Sequence, residues 1–331
     1  MTPTNFPSGI TSFGIPVAGS LMPVQGKYIF CKPRTGLDGN DGLSAETAVK
    51  TLTQALSIAT ADQNDTVIYF AEGNTSSDTT DYLTATLTWN KNLVHLVGID
   101  AGGMVSGRCR IATQTTGITP LVNITANGCQ WSNINVFHGV TSDQTGLVAV
   151  QVTGDRNHFV KCMFSGGGIS TTADDTGMRS LKLSGASEGL FEDCVIGLDT
   201  ISRTVANFEL EFANGSSGDG CARTIFRNCN IITYSTTATR SFLTCSADAI
   251  DRWIKFEYCT FINAINSGAT TMTEALSVAN GTSPNGLIFL KDCSVIGATD
   301  WESNTESARV YIDGGAPTNN TSGLAVIVEA T

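Results

Sequence analysis

Four segments of this chain repeat one short pattern. Phe159-Val-Lys-Cys162-Met-Phe164, Phe191-Glu-Asp-Cys194-Val-Ile196, Phe226-Arg-Asn-Cys229-Asn-Ile231 and Phe256-Glu-Tyr-Cys259-Thr-Phe261 all read aromatic-x-x-Cys-x-apolar. Leu290-Lys-Asp-Cys293-Ser-Val295 keeps the pattern with Leu for the aromatic, and Trp131-Ser-Asn-Ile134-Asn-Val136 puts Ile at the Cys position. From Ile134 to Cys293 that position recurs at intervals of 28, 32, 35, 30 and 34 residues. A second series runs out of phase with the first: Val122–Ile124, Val148–Val152, Leu181–Leu183, Phe208–Phe212, Phe242-Leu243, Leu276–Val278 and Val310–Ile312. Its period-two alternation marks strands with one buried face. Each repeat therefore carries at least two strands.

Repeats of this length belong to solenoids or propellers, and a propeller blade needs about 40–45 residues. The shorter repeat here fits one coil of an all-β parallel β-helix solenoid. Irregular intervals fit too, because loops vary while buried positions stay in register. Roughly eight coils at the strand spacing give a rod about 40 Å long.

The repeat also assigns the cysteines. Cys162, Cys194, Cys229, Cys259 and Cys293 are expected to form an interior column, as small buried hydrophobes. The total of ten permits a disulfide framework on count alone. Stacked side chains run parallel, however, and a bridge needs converging Cβ vectors, so free thiols are expected. A metal or redox stack is disfavoured: no histidine repeats with the thiols, and thiols in apolar surroundings are inert. No metal site and no cofactor are expected. Phe159, Phe191, Phe226 and Phe256 recur in phase with the thiols and read as a buried stack rather than a sugar platform.

Charged residues make up only 15% of the 331, and the net charge is −11. The 19 basic residues are scattered, whereas a phosphate-tracking groove needs them clustered; nucleic acid is not an expected partner. No run approaches the about 18 apolar residues of a membrane helix, so no membrane span is expected. The first 25 residues hold four prolines and no basic residue; no secretion signal is expected there.

Residues 1–27 form a distinct arm. Four prolines alternate with four glycines, and between them stand Phe6, Ile10, Phe13, Ile15, Val17, Leu21 and Val24. Proline breaks both helices and central strands. The arm reads either as a loose terminus or as a segment that lies on a partner, and its apolar content favours the partner. Residues 28–65 read as a strand, a glycine-Asx turn and a helix near 51–60, opened by Thr51 and Gln54 in a capping-box pattern. The solenoid then occupies 66–331.

The opening Tyr28-Ile-Phe30, the turn Gly36-Leu-Asp-Gly-Asn-Asp-Gly-Leu-Ser44 and Lys50-Thr-Leu-Thr-Gln-Ala-Leu56 resemble the N-terminal cap of the right-handed, pectate-lyase-like β-helix superfamily. The resemblance implies a helix that plugs the first coil, as an open coil end requires. Asn5-Phe-Pro-Ser-Gly-Ile-Thr-Ser-Phe-Gly-Ile-Pro-Val17 is similar to leader segments of tailed-phage virion proteins. That likeness implies a homotrimer located in the virion and assembled in the host cytoplasm. The expected role is capsid decoration (cement), with the arm on the major capsid protein or another virion protein. The competing reading is a tailspike-like depolymerase, or a tail protein that binds a host glycan without cleaving it.

Any catalytic chemistry is expected on the outward faces, since the inward ones are apolar. A glycosidase needs two carboxylates about 5–9.5 Å apart. Glu209 and Glu211 are expected outward on one strand, and Asp174-Asp175, Glu188, Glu192 and Asp193 nearby. Solvated surface is the expected role for all of them, and no catalytic residue is assigned. No Asp cluster followed by R-x-P-x-x-R matches the pectate lyases, and the turn Asp38–Gly42 fails calcium-loop spacing. His95, His138 and His158 fall in different coils with no shared spacing. Trp301 is expected in a loop, exposed at a contact.

Overall fold

In the computed structural model, the residues described are 26–72, 83–100, 109–113, 115–139, 144–263, 268–279, 286–302 and 310–314, with the backbone of 11–12 and 15–16. The strands stack into three parallel sheets. The main sheet runs Tyr28–Cys31, Thr66–Phe70, His95–Ile99, Gln130–Ser132, His158–Val160, Leu190–Glu192, Thr224–Arg227, Trp253–Glu257, Leu287–Ile296 and Val310–Gly314. The second contains Arg110–Ala112, Asn135–Phe137, Met163–Ser165, Val195–Arg203, Asn230–Ser235 and Thr260–Asn263, and it joins the main sheet through Leu287–Ile296. The third contains Leu87–Trp89, Val122–Ile124, Val148–Val152, Arg179–Ser184, Leu210–Ala213, Leu243–Cys245 and Leu276–Val278. Among the described residues six successive turns carry three separate strands, in a seventh Leu287–Ile296 serves both the main and the second sheet, and partial turns lie at either end. The estimate of eight coils thus counted end turns that lack a full set.

The repeat is one corner of this prism. Its aromatic lies on the main sheet and its final apolar residue on the second. The residue just before each Cys, or before Ile134 in the segment that replaces it, adopts a left-handed backbone: Asn133, Lys161, Asp193, Asn228, Tyr258 and Asp292 have φ of 50–58°. This bend resolves a problem of parity. Aromatic and Cys are three positions apart, so on one straight strand they would face opposite sides. The left-handed residue turns the chain, and both side chains point inward.

Inside, like stacks on like. Phe159, Phe191, Phe226 and Phe256 lie ring over ring at 4.6, 4.6 and 4.8 Å, within 15° of parallel. That spacing is the distance between hydrogen-bonded strands. Each thiol of the column donates to the main-chain oxygen of the aromatic one turn earlier: Cys194 to Phe159, Cys229 to Phe191, Cys259 to Phe226 and Cys293 to Phe256, at 3.4–3.5 Å. All ten cysteines are buried and free. Burial pushes the Cys129 thiol up to about 11 and the Cys221 thiol up to about 12, so at these two sites thiolate is scarce at neutral pH.

The short helix α1 (Leu52–Ile58) is capped by Thr51, whose hydroxyl accepts from the Gln54 N–H. It buries Leu52, Ala55 and Leu56 in the same core as Ile29 and Val67. Two strand expectations are corrected. Val310–Ile312 belongs to the main sheet, paired with Ile288–Leu290. The strand placed at Phe208–Phe212 begins at Leu210.

Candidate functional site

The outer face of the main sheet carries a ladder of ion pairs. Strand register aligns Glu192, Arg227, Glu257 and Lys291 on successive turns. Arg227 sits between two carboxylates, 2.9 Å from Glu192 and 3.0 Å from Glu257. His158 Nε2 lies 2.8 Å from the other Glu192 oxygen, and Lys255 Nζ 2.5 Å from Glu257. At the neighbouring corner Glu188 bridges Arg156 and Arg223, each at 2.6 Å. The hydrogen bond from Arg223 holds the Glu188 carboxyl below the usual carboxylate range, and that from Lys255 does the same for Glu257.

Glu209 overturns an expectation: it is fully buried, not outward. Its Oε1 accepts from Arg240 Nη2 at 2.8 Å, Thr233 Oγ1 at 3.0 Å and Arg203 Nε at 3.3 Å, and its Oε2 from the Ser180 hydroxyl at 2.5 Å. Arg203 also donates to the main-chain oxygens of Gly166 and Gly167, and Arg240 to Asn207 and Thr233. Both arginines are fully buried. Burial pushes the Glu209 carboxyl up, but the two guanidinium charges outweigh it and leave it lowered. Room comes from Gly197, where an added Cβ would lie 2.9 Å from Glu209 Cγ. Glu209 lies ahead of the strand, at the corner, so strand alternation does not apply to it.

Glu211 does face outward, held by Arg179 at 2.8 Å and Lys182 at 3.4 Å, with Arg179 over the Phe208 ring. Glu209 and Glu211 therefore do not share a face. Asp174 and Asp175 accept main-chain N–H groups, from Thr204 and Gly177. Asp193 is one of the left-handed corner residues. Asp38 is spent on the cap, accepting from the N–H groups of Lys50 and Thr51. His95 and His138 are buried, in different turns. Trp301 is a further correction: it is 6% exposed and packs edge-on against Phe261. Among the described residues no group of three side chains converges as a metal site, and no helix is long and apolar enough to cross a membrane. The arm side chains of Phe6, Ile10, Phe13, Ile15, Val17 and Leu21 lie outside the described residues.

The Arg203–Glu209–Arg240 cluster had no sequence signal. Its members come from two successive turns, Arg203 and Glu209 on one connection between the second and third sheets and Arg240 on the next, and follow no repeat. Arg203 and Arg240 do stand in otherwise uncharged stretches, which is the only hint.

Three parallel sheets around an aromatic and cysteine core define the class: a right-handed parallel β-helix of the pectate lyase and pectin methylesterase type. The fold is similar to a pectin methylesterase from Aspergillus niger in deglycosylated form, with TM-score 0.52 and 13% identity over 94% of each chain. It is also similar to pectate lyase Pel9A, with TM-score 0.52 and 12% identity over 93% of this chain and 79% of that one. ORF18 of Geobacillus virus E2 aligns at 13% identity and TM-score 0.48 over 82% of this chain and 56% of its own. Residues 34–233 match the family described as Protein of unknown function (DUF1565), and the chain belongs to that family. No curated protein matches the sequence.

Proposed function

We propose that this chain is a structural virion protein of a tailed phage, a non-enzymatic capsid decoration (cement) protein. Its arm, through Phe6, Ile10, Phe13, Ile15, Val17 and Leu21, binds the major capsid protein or another virion protein, and the rod projects outward as a homotrimer. The observation that carries the non-enzymatic part is the state of four carboxylates on the outer surface. Glu188, Glu192, Glu211 and Glu257 are each held by cations. A glycosidase acid needs a raised pKa, and Glu188 and Glu257 are lowered. The apolar arm sequence supports attachment.

The test is particle binding. Full-length protein is expected to decorate particles lacking it, visible as added density by electron microscopy. A chain without residues 1–27 is expected to fold but not bind. Decoration by the truncated chain would sink the arm reading. Cleavage of host capsule or lipopolysaccharide by the full chain would replace the non-enzymatic reading with the depolymerase.

A further inference from the structure

Most charges along the outer ladder are paired, but one concave group is not. The turns 153–157, 184–189, 214–223 and 246–252 stack at the corner where the third sheet leads into the main one. They border an open cleft of about 290 Å³, lined by Asp155, Ser187, Asp219, Arg223, Asp251 and Arg252. Gly185, Gly220 and Ala222 complete the lining, so the space is left free by small residues. At Gly220 an added Cβ would come within 2.9 Å of Asp251 Oδ1, so the missing side chain lets that carboxylate lie against the backbone.

Two lining groups are engaged structurally. Asp155 accepts from the Ser187 N–H at 2.8 Å, and Glu188 holds Arg223. The carboxylates of Asp219 and Asp251 and the guanidinium of Arg252 make no hydrogen bond or ion pair among the described residues. The cleft thus offers acceptors at two points and a donor fork at a third, with Ala222 its one apolar side chain. An aromatic or aliphatic ligand gains little there, since such ligands bind through apolar walls. Among the described residues no three ligating side chains converge, which disfavours a lone cation. Adjacent hydroxyls, each able to donate and accept, match the arrangement, and the volume suits one ring.

We propose that this cleft binds a single sugar residue of a glycan, whose hydroxyls donate to Asp219 and Asp251 and accept from Arg252. This binding does not depend on the arm and involves no bond cleavage. Saturation-transfer NMR on the full chain tests it, with glucose, galactose, rhamnose, N-acetylglucosamine and glucuronic acid each at about 10 mM. At least one sugar is expected to take up saturation. Asp251→Asn and Arg252→Ala are each expected to weaken it at least about tenfold, with thermal melting unchanged. No transfer to any of these sugars overturns the proposal, as does transfer unaffected by both substitutions. Glycine serves as the zwitterionic control, and transfer to glycine alone also overturns it. The chain lacking residues 1–27 is expected to bind the same sugar equally well, so failure of the cleft and failure of the arm are distinguishable.

Discussion

The two faces of the main sheet are made by the same strands and obey different rules. Inward, Phe159, Phe191, Phe226 and Phe256 repeat one residue type at one position, ring on ring. Outward, the residue after each aromatic is Val160, Glu192, Arg227 or Glu257, and the type changes from each turn to the next. The inner face must fill a fixed volume in every turn, so it converges on one shape. The outer face must only avoid like charge against like on adjacent strands, so alternation of sign suffices. Regularity in the sequence therefore marks what is buried, and the outer chemistry is written in local pairs that no repeat betrays.

That contrast predicts a steep difference in cost. Phe191→Ala removes a ring stacked between two others and touching Phe164 edge-on. It is expected to lower stability by about 3–5 kcal/mol, read as a fall in the urea midpoint. A loss below about 1 kcal/mol would mean that the column is loosely packed and that the inner face is not the stricter of the two.

Glu209→Gln comes next. It leaves two fully buried guanidinium groups without their shared carboxylate. Stranding a buried charge costs about 3 kcal/mol or more. Replacing Arg203, Glu209 and Arg240 together by apolar residues is expected to recover part of that loss, since the desolvation penalty goes with the charges. Equal stability of Glu209→Gln and the wild type would show that the cluster acts like the exposed ladder.

His95 adds a pH term of similar size. Its Nδ1 accepts from the Gln130 N–H at 2.9 Å, while Nε2 pairs with Asn64 Oδ1 at 3.3 Å. The first contact needs a bare Nδ1, so only the neutral ring fits. Burial lowers the imidazole to about 4 from 6.5, with the nearby Asp65 charge opposing. The unfolded chain binds this proton more readily, so the contribution is complete above pH 6.5. It is lost as pH falls towards 4 and is constant below that. The shift corresponds to about 3 kcal/mol. Urea unfolding at pH 7 and pH 4.5, compared with His95→Gln, isolates it: the substitution is expected to flatten that part of the profile, and an unchanged slope would count against it.

Much of the interior was legible and much of the exterior was not. The Cys column, the aromatic stack and the third-sheet strands follow from spacing, because burial imposes period and volume together. The corner was hidden. Asn133, Lys161, Asp193, Asn228, Tyr258 and Asp292 share a backbone conformation but no side-chain chemistry. Asn and Asp enter that region readily, yet Lys161 and Tyr258 do so because the stack above and below fixes the turn. Glu209 was misplaced for a related reason: alternation holds only within a strand, and its residue sits one position before Leu210. The pairing of Glu192 with both His158 and Arg227 spans residues 34 and 35 positions away, beyond any local pattern.

The smallest predicted effect tests the comparison most directly. Glu192→Gln removes a carboxylate that touches His158 and Arg227, but all three side chains keep access to water, at 28–40% exposure. Exposed pairs contribute about 0.2–1 kcal/mol and are screened by salt. The substitution is therefore expected to shift the urea midpoint by no more than about a third of the Phe191→Ala shift, and the difference from wild type is expected to shrink further in 1 M salt. Since Arg227 retains Glu257, no charge is stranded. A loss comparable to Phe191→Ala, insensitive to salt, would mean that the ladder is a buried network in the assembled protein. It would then place this face of the sheet against a partner, and the contrast between inside and outside would hold only for the isolated chain.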